Sequence, residues 1–214
     1  MADAGSHERA RRFGHRADAP VPLSTYRVQL TEDFTFADAA ARLPYLKALG
    51  VSHVYLSPIL PAAPGSRHFY DVVDHSTVSP VLGGTEGLRD LARQAHEIGM
   101  GLIADVVPNH MAVPTPAFHN RALWSVLAHG QESPFAHWFD VDWSSGAVLM
   151  PVLGERIGTV LSSEQLTVDS MIVPGDEAAG EVPVLRYYDH VFPIRPGTEN
   201  LPLTDLVAEP NYRL

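Results

Sequence analysis

The sequence contains no cysteine, which removes disulfides, thiolate metal ligands and cysteine nucleophiles together. Basic residues are scarce: 15 Lys and Arg stand against 25 Asp and Glu, for a net charge of −10. A phosphate backbone is held by clustered Lys and Arg, so nucleic acid is excluded as an expected partner. Long apolar runs are missing as well. None approaches the ~18–20 residues that cross a bilayer. The N-terminal stretch MADAGSHERARRFGHRADAP has arginines but no apolar block behind them, unlike a secretory signal. No membrane partner is expected, and the cytoplasm is the expected location. There is no His-x-His pair and no His-Glu-x-x-His run. His53, His68, His75 and His110 with Asp71, Asp74 and Asp105 match no dedicated ligand spacing, so no metal or other cofactor is expected. What is present is a hydrophobic content of 45% over 214 residues, enough for a packed core in one domain, or one domain with a sizeable insertion.

Residues 1–22 are polar and basic and read as a disordered leader. From Ser24 the texture changes. Ser24 to Leu30 (STYRVQL) alternates apolar and polar residues, the period of a half-buried strand. Thr35-Phe36-Ala37-Asp38 is a capping box. Phe36, Ala39, Ala40, Leu43, Leu46 and Leu49 then recur at helical spacing up to Gly50, with Pro44 expected to kink the helix or split off its first turn. Val51 to Ser57 is a second strand. Thr85 is placed to cap a second helix carrying Leu88, Leu91, Ala92, Ala95 and Ile98, and Gly99 ends it. Gly101 to Val107 (GLIADVV) is almost continuously apolar, as a parallel strand covered on both faces would be.

The order β-α-β-α-β implies right-handed crossovers onto a parallel sheet, doubly wound or barrel. Five further strand–helix units of about 30 residues each would need roughly 150 residues, whereas 107 follow Val107. A complete (β/α)8 barrel of ~250 residues therefore does not fit. Residues 111–214 read differently: a short helix over Ala117–His129, then β-prone runs at Ala147–Leu153, Ile157–Leu161, Gln165–Val173 and Val182–Ile194, broken by Gly, Pro and Ser. That texture suits a small, mixed, β-rich subdomain inserted after the third strand. The expected fold is α/β: an incomplete (β/α)8 TIM barrel of three strands over residues 23–110, with the insertion subdomain over 111–214.

Chemistry concentrates in two places. Asp105-Val106-Val107-Pro108-Asn109-His110 sets a lone carboxylate near the C-terminal end of an apolar strand, the end that faces the active site in a βα barrel. The alternatives are that Asp105 caps the loop or pairs with a structural arginine, and that His110 is an ordinary loop histidine. His68-Phe69-Tyr70-Asp71-Val72-Val73-Asp74-His75 sets an aromatic ring among carboxylates and imidazoles. A sugar site asks for that: a ring face for the pyranose C–H face, and directed polar groups for its hydroxyls. Of the insertion aromatics Phe118, Trp124, Phe135, Trp138, Phe139, Trp143, Tyr187, Tyr188 and Phe192, most form the subdomain core and one or two are left to line a groove.

Asp105 to His110 resembles the first motif of the α-amylase superfamily. With Ser24–Leu30, Val54–Pro58, Tyr70–His75, Leu82-Gly83-Gly84 and Leu185–His190 in the same order, the chain from about Pro22 onward is similar to the maltooligosyltrehalose synthase family. The resemblance implies a (β/α)8 barrel with a subdomain after the third strand. It implies a maltooligosaccharide (α-glucan) substrate whose reducing-end α-1,4 bond is rearranged to α,α-1,1 by retaining, intramolecular glucosyl transfer through an aspartate nucleophile and a glutamate acid/base. By the same resemblance Tyr70 stacks on the sugar at the cleavage point and His110 bonds to it. Asp71 supports that subsite, and Asp105 organises the site, typically through an arginine beside the nucleophile. Asn109 helps hold calcium in many relatives, but no metal is carried over here. Phe69 stands where the family usually has Gly. The motifs for nucleophile and acid/base follow the insertion in the family, and residues 111–214 contain no Gly-x-Arg-x-Asp segment. The chain is thus expected to match the N-terminal portion of such an enzyme, without catalytic residues of its own and inactive alone. The competing expectations are a non-catalytic α-glucan-binding fragment and part of an α-amylase-type glycoside hydrolase.

Overall fold

The computed structural model describes residues 21–214. The expected leader therefore lies outside the described residues except for its last two. The string Gly14-His15-Arg16-Ala17-Asp18, which has Gly-x-Arg-x-Asp spacing but precedes every strand, lies outside them too.

The alternating segments form three parallel strands in the order β1 (Thr25–Val28), β2 (His53–Leu56) and β3 (Gly101–Ala104). Helix α1 (Phe36–Ala48) joins β1 to β2, and α2 (Gly84–Glu97) joins β2 to β3. Val28, Val54 and Leu56 share one buried core with Phe36, Leu43 and Leu46 of α1 and Leu91 and Ala95 of α2. The helices thus cover one face of the sheet. Gly101 is required at the head of β3, because a Cβ there would fall inside the buried His53 ring.

The start of α1 forms as its sequence predicts. The Thr35 N–H donates to Asp38 Oδ2 at 2.8 Å, and the Thr35 hydroxyl donates to the same oxygen at 2.8 Å. These bonds hold the Asp38 carboxyl below its ordinary range. The helix is not split at Pro44 but runs through it. Pro44 is exposed, and its missing N–H forfeits a single bond to the turn before. Thr85 is not the cap of α2. A 3-10 turn over Pro80–Leu82 leads into Gly83, which caps the helix with φ of 111°.

The third strand is shorter than its apolar run and is not covered on both faces. Leu102 and Ile103 are half-buried and Ala104 is exposed. Strand β2 stops before Pro58, so the ladder has one further bond to give, from the Asp105 N–H to the Leu56 carbonyl at 2.9 Å. Among the described residues β3 has β2 as its only neighbour.

Residues 111–214 build a second core. An antiparallel sheet of β5 (Leu166–Ile172), β6 (Glu181–Tyr187) and β7 (His190–Pro193) packs with helix α3 (Arg121–His129). Two short strands, β4 (Val148–Leu149) and β8 (Tyr212–Arg213), pair in parallel. Leu127, Leu166, Leu185, Phe192 and Tyr212 are buried together there. The run Val182–Ile194 divides into β6 and β7 at the tight turn Tyr188-Asp189, where Tyr188 takes φ of 50°. Ile157–Leu161 is not a strand. It lies in the short helix α4 (Ile157–Ser162), which buries Val160 in this second core and overrides the β propensity of its residues. A last helical turn, α5 (Leu203–Leu206), buries Leu206 in the same core.

Candidate functional site

Strand alternation decides which side chains face away from the helices. Arg27, Tyr55 and Ile103 occupy one rung of the parallel sheet. Their side chains point opposite to Val28 and Leu56, whose burial against α1 and α2 fixes the other face. Asp105, two residues beyond Ile103, joins the same open face at the C-terminal end of β3.

Two phenols converge on the Asp105 carboxylate. Tyr70 donates to Oδ2 at 2.6 Å and Tyr55 donates to the same oxygen at 3.1 Å. Arg27 completes the set, donating from Nη2 to the Tyr70 oxygen at 3.4 Å with its guanidinium carbon 5.8 Å from the Tyr55 ring centre. The hydrogen bond it donates to Asp105, ahead of desolvation, raises the Tyr55 phenol above its ordinary value. The bond to Tyr70 raises the Arg27 guanidinium. A cation, two phenols and a carboxylate therefore form one connected network. Charge-assisted bonds of this kind fix side-chain directions before any ligand arrives.

The loops after β2 and β3 are stitched together. His110 Nε2 meets the Tyr70 carbonyl at 3.2 Å, and His75 Nε2 meets the Val107 carbonyl at 2.8 Å. The Ala112 N–H donates to the Val72 carbonyl at 2.7 Å. Ser66 donates its hydroxyl to the Asp71 carboxylate and accepts from the Phe69 N–H at 3.1 Å. Phe69 takes φ of 63° with its ring buried in the core under the sheet. Phe69 therefore occupies the left-handed region where Gly sits without strain, and the loop keeps its shape by burying the ring. Tyr70 itself is 38% exposed, and its ring stacks with that of His68 at 6.1 Å.

Of the sequence-predicted residues, Tyr70, Asp105 and His110 are brought together, the last through the Tyr70 backbone. Asp71 lies on the same loop, with its carboxylate turned to Ser66 and to His68 at 3.6 Å. Asn109 and His110 line a cleft of about 630 Å³ with His75, Trp138 and Phe139. Asp105 takes its bonds from tyrosines, with Arg27 reaching it through Tyr70. Among the described residues no three histidine or carboxylate side chains lie together as candidate metal ligands. Arg27 and Tyr55 were not singled out from the sequence. Their signal was the strand period, which aligns them with Asp105 once the register is known.

A parallel βα sheet that gathers a carboxylate, an exposed tyrosine and a histidine at its C-terminal edge is arranged as in the βα-barrel class, whose sites sit at that edge. The chain belongs to the α-amylase family: the model for the α-amylase catalytic domain matches residues 36–152. A putative maltooligosyl trehalose synthase of Mycobacterium tuberculosis is 44% identical over 183 residues, which are 82% of this chain and 22% of that protein. The solved maltooligosyltrehalose synthase of Arthrobacter ramosus is 44% identical with a TM-score of 0.77, covering 90% of this chain and 24% of that one. The intracellular maltogenic amylase of Bacillus subtilis is 35% identical over 100 residues, 47% of this chain and 16% of that protein. The chain thus spans about a fifth of the length of the curated relatives it matches.

Proposed function

We propose that this chain supplies the sugar-holding wall of a maltooligosyltrehalose synthase. In this reading residues 23–110 are the first three strands of a (β/α)8 barrel, and residues 111–214 are a subdomain inserted after the third. One observation carries it. The likeness to the synthases runs through the insertion, over 90% of the chain, whereas the maltogenic amylase matches about half. That difference favours the synthase over the hydrolase reading. The substrate is a maltooligosaccharide.

Tyr70 stacks on the glucosyl ring at the cleavage point, and its phenol anchors the Asp105 carboxylate. Asp105 presents fixed negative charge to the groups that complete the site. His110, tethered by Nε2 to the Tyr70 carbonyl, leaves Nδ1 for a sugar hydroxyl, and Asp71 and Asn109 border the same subsite. In the overall reaction the reducing-end α-1,4 bond breaks and the non-reducing part becomes bound to an aspartate. The released glucose then attacks through its anomeric hydroxyl to give the α,α-1,1 bond. For that glucose to outcompete water it must be held and shielded, and a wall of ring faces and directed hydrogen bonds is suited to this. The bond-breaking carboxylates are assigned to the part of the relatives that this chain does not span, so the chain alone is expected to hold the sugar without converting it.

Incubation with maltopentaose tests both halves. The chain should leave the sugar unchanged, and calorimetry with maltoheptaose should show binding that Tyr70→Ala weakens at least tenfold. Turnover by the chain, or binding indifferent to Tyr70→Ala, would overturn the assignment.

A further inference from the structure

A second cavity, of about 780 Å³, opens between helix α3 and the segment following β5. Neither Tyr70, Asp71, Asp105 nor His110 lines it. Its volume lies within the ~300–1,000 Å³ usual for small-molecule sites. Two aromatic pairs wall it. Trp138 meets Phe135 edge-on at 5.0 Å and is 46% exposed, and Trp124 meets Phe118 edge-on at 6.0 Å. Exposed tryptophan is costly to leave in water and suits the C–H face of a sugar ring.

Three polar groups of this cavity are unspent. Among the described residues the Arg121 guanidinium, the Asp176 carboxylate and the His119 imidazole make no hydrogen bond. Arg121 lies along Gly175, where an added Cβ would sit 3.7 Å from its Nη1, and acts on Glu177 only through its charge. Burial pushes His119 below its ordinary value, so at neutral pH its ring offers one donor and one acceptor. Arg121 is balanced by Asp74 and Asp176 on the same lining. A lining with no excess positive charge fits a neutral polyol better than a phosphate.

We propose that this cavity is a second binding site for a neutral α-1,4-glucan segment, walled by Trp124 and Trp138 and gripped by His119, Arg121 and Asp176. It rests on the α-glucan reading given above for the Tyr70 site. Trp138 and Met111 line both this cavity and the cleft that holds His110. The two sites are therefore neighbours, and one oligosaccharide of sufficient length would engage both. Linked engagement of that kind raises affinity through effective concentration without new contacts.

The test titrates the full 214-residue chain with maltoheptaose by calorimetry and tryptophan fluorescence, with cellohexaose and inorganic phosphate as comparison ligands. In Tyr70→Ala, residual maltoheptaose binding with a tryptophan signal is expected. Adding His119→Ala and Arg121→Ala should weaken that residual binding at least tenfold with the fold retained, since Arg121 is exposed and His119 is half-buried against Phe118 at the edge of the core. Trp124→Phe is the second variant and should remove most of the fluorescence change. Residual binding unaffected by His119→Ala and Arg121→Ala overturns the proposal, as does preferential binding of phosphate. Complete loss of binding in Tyr70→Ala alone overturns the second site and leaves the first intact. Binding lost in the His119→Ala, Arg121→Ala variant yet unaffected by Tyr70→Ala keeps the second site and overturns the assignment of the first.

Discussion

Phe69→Gly sets two opposing effects against each other. Phe69 has φ of 63°, and its ring is 4% exposed in the core beneath the sheet. An L-residue in the left-handed region is strained by about 1–2 kcal/mol, which glycine relieves. Truncating a buried Phe costs about 3–5 kcal/mol in lost burial and residual cavity. The packing loss is larger, so Phe69→Gly should destabilise the chain by roughly 1–4 kcal/mol, with about 2.5 kcal/mol at the middle of that range. At ~2–4 °C per kcal/mol for a chain of this size, the melting temperature should fall by about 5–10 °C. Phe69→Ala loses the ring and keeps most of the strain, so it should melt below Phe69→Gly. Circular dichroism melts of the three proteins give the order: parent, then Gly, then Ala. A Gly variant as stable as the parent would mean that the ring contributes nothing to the loop. An Ala variant at least as stable as Gly would mean that the backbone is not held left-handed. Either result would refute the account of how the Tyr70 loop keeps its shape.

Asp105→Asn should bring the Tyr55 phenol down toward its ordinary value, since the carboxylate is the main cause of its rise; an unchanged ultraviolet titration of the tyrosines would contradict the network. Tyr212→Phe removes the bond from the Tyr212 hydroxyl to the Pro193 carbonyl, 2.9 Å long and buried. Leaving that carbonyl unpaired should cost about 1–3 kcal/mol in denaturant unfolding, and no loss would show that water takes the hydroxyl's place. The Asp38 carboxyl is held low by the Thr35 N–H. Its contribution is therefore full above the unfolded carboxylate value of about 3.9 and is lost as pH falls through the lower folded value. The stability gap between parent and Asp38→Ala should accordingly close on acidification, and a gap independent of pH would assign it to helix propensity instead.

The sheet and its two helices were legible because their periods are strong. The alternation of Ser24–Leu30 and the 3.6-residue spacing of Phe36, Leu43 and Leu46 each leave one reading. Boundaries were less so. The apolar run Gly101–Val107 resembles a covered strand, yet hydrogen bonding ends with β2 and the flank of β3 is open; neighbours set that, and composition does not record it. Ile157–Leu161 shows the same limit, since one buried Val160 and a tertiary core decide the helix against its β-prone residues. At the site, Tyr70, Asp105 and His110 were visible as motif residues. Arg27 and Tyr55 became visible with the register that lines up Arg27, Tyr55 and Ile103. The cavity walled by Trp124 and Trp138 joins α3 to a segment about fifty residues further along the chain, a pairing that local sequence does not encode.

Product analysis of a chimera decides whether residues 23–214 belong to a trehalose-forming enzyme. Residues 23–214 would replace the matching segment of the Mycobacterium tuberculosis relative, and the chimera would be supplied with maltopentaose. On this assignment reducing ends disappear while chain length is conserved, because the terminal α-1,4 bond has become α,α-1,1. Accumulation of free reducing glucose or maltose, or a folded chimera that leaves maltopentaose untouched, would contradict it.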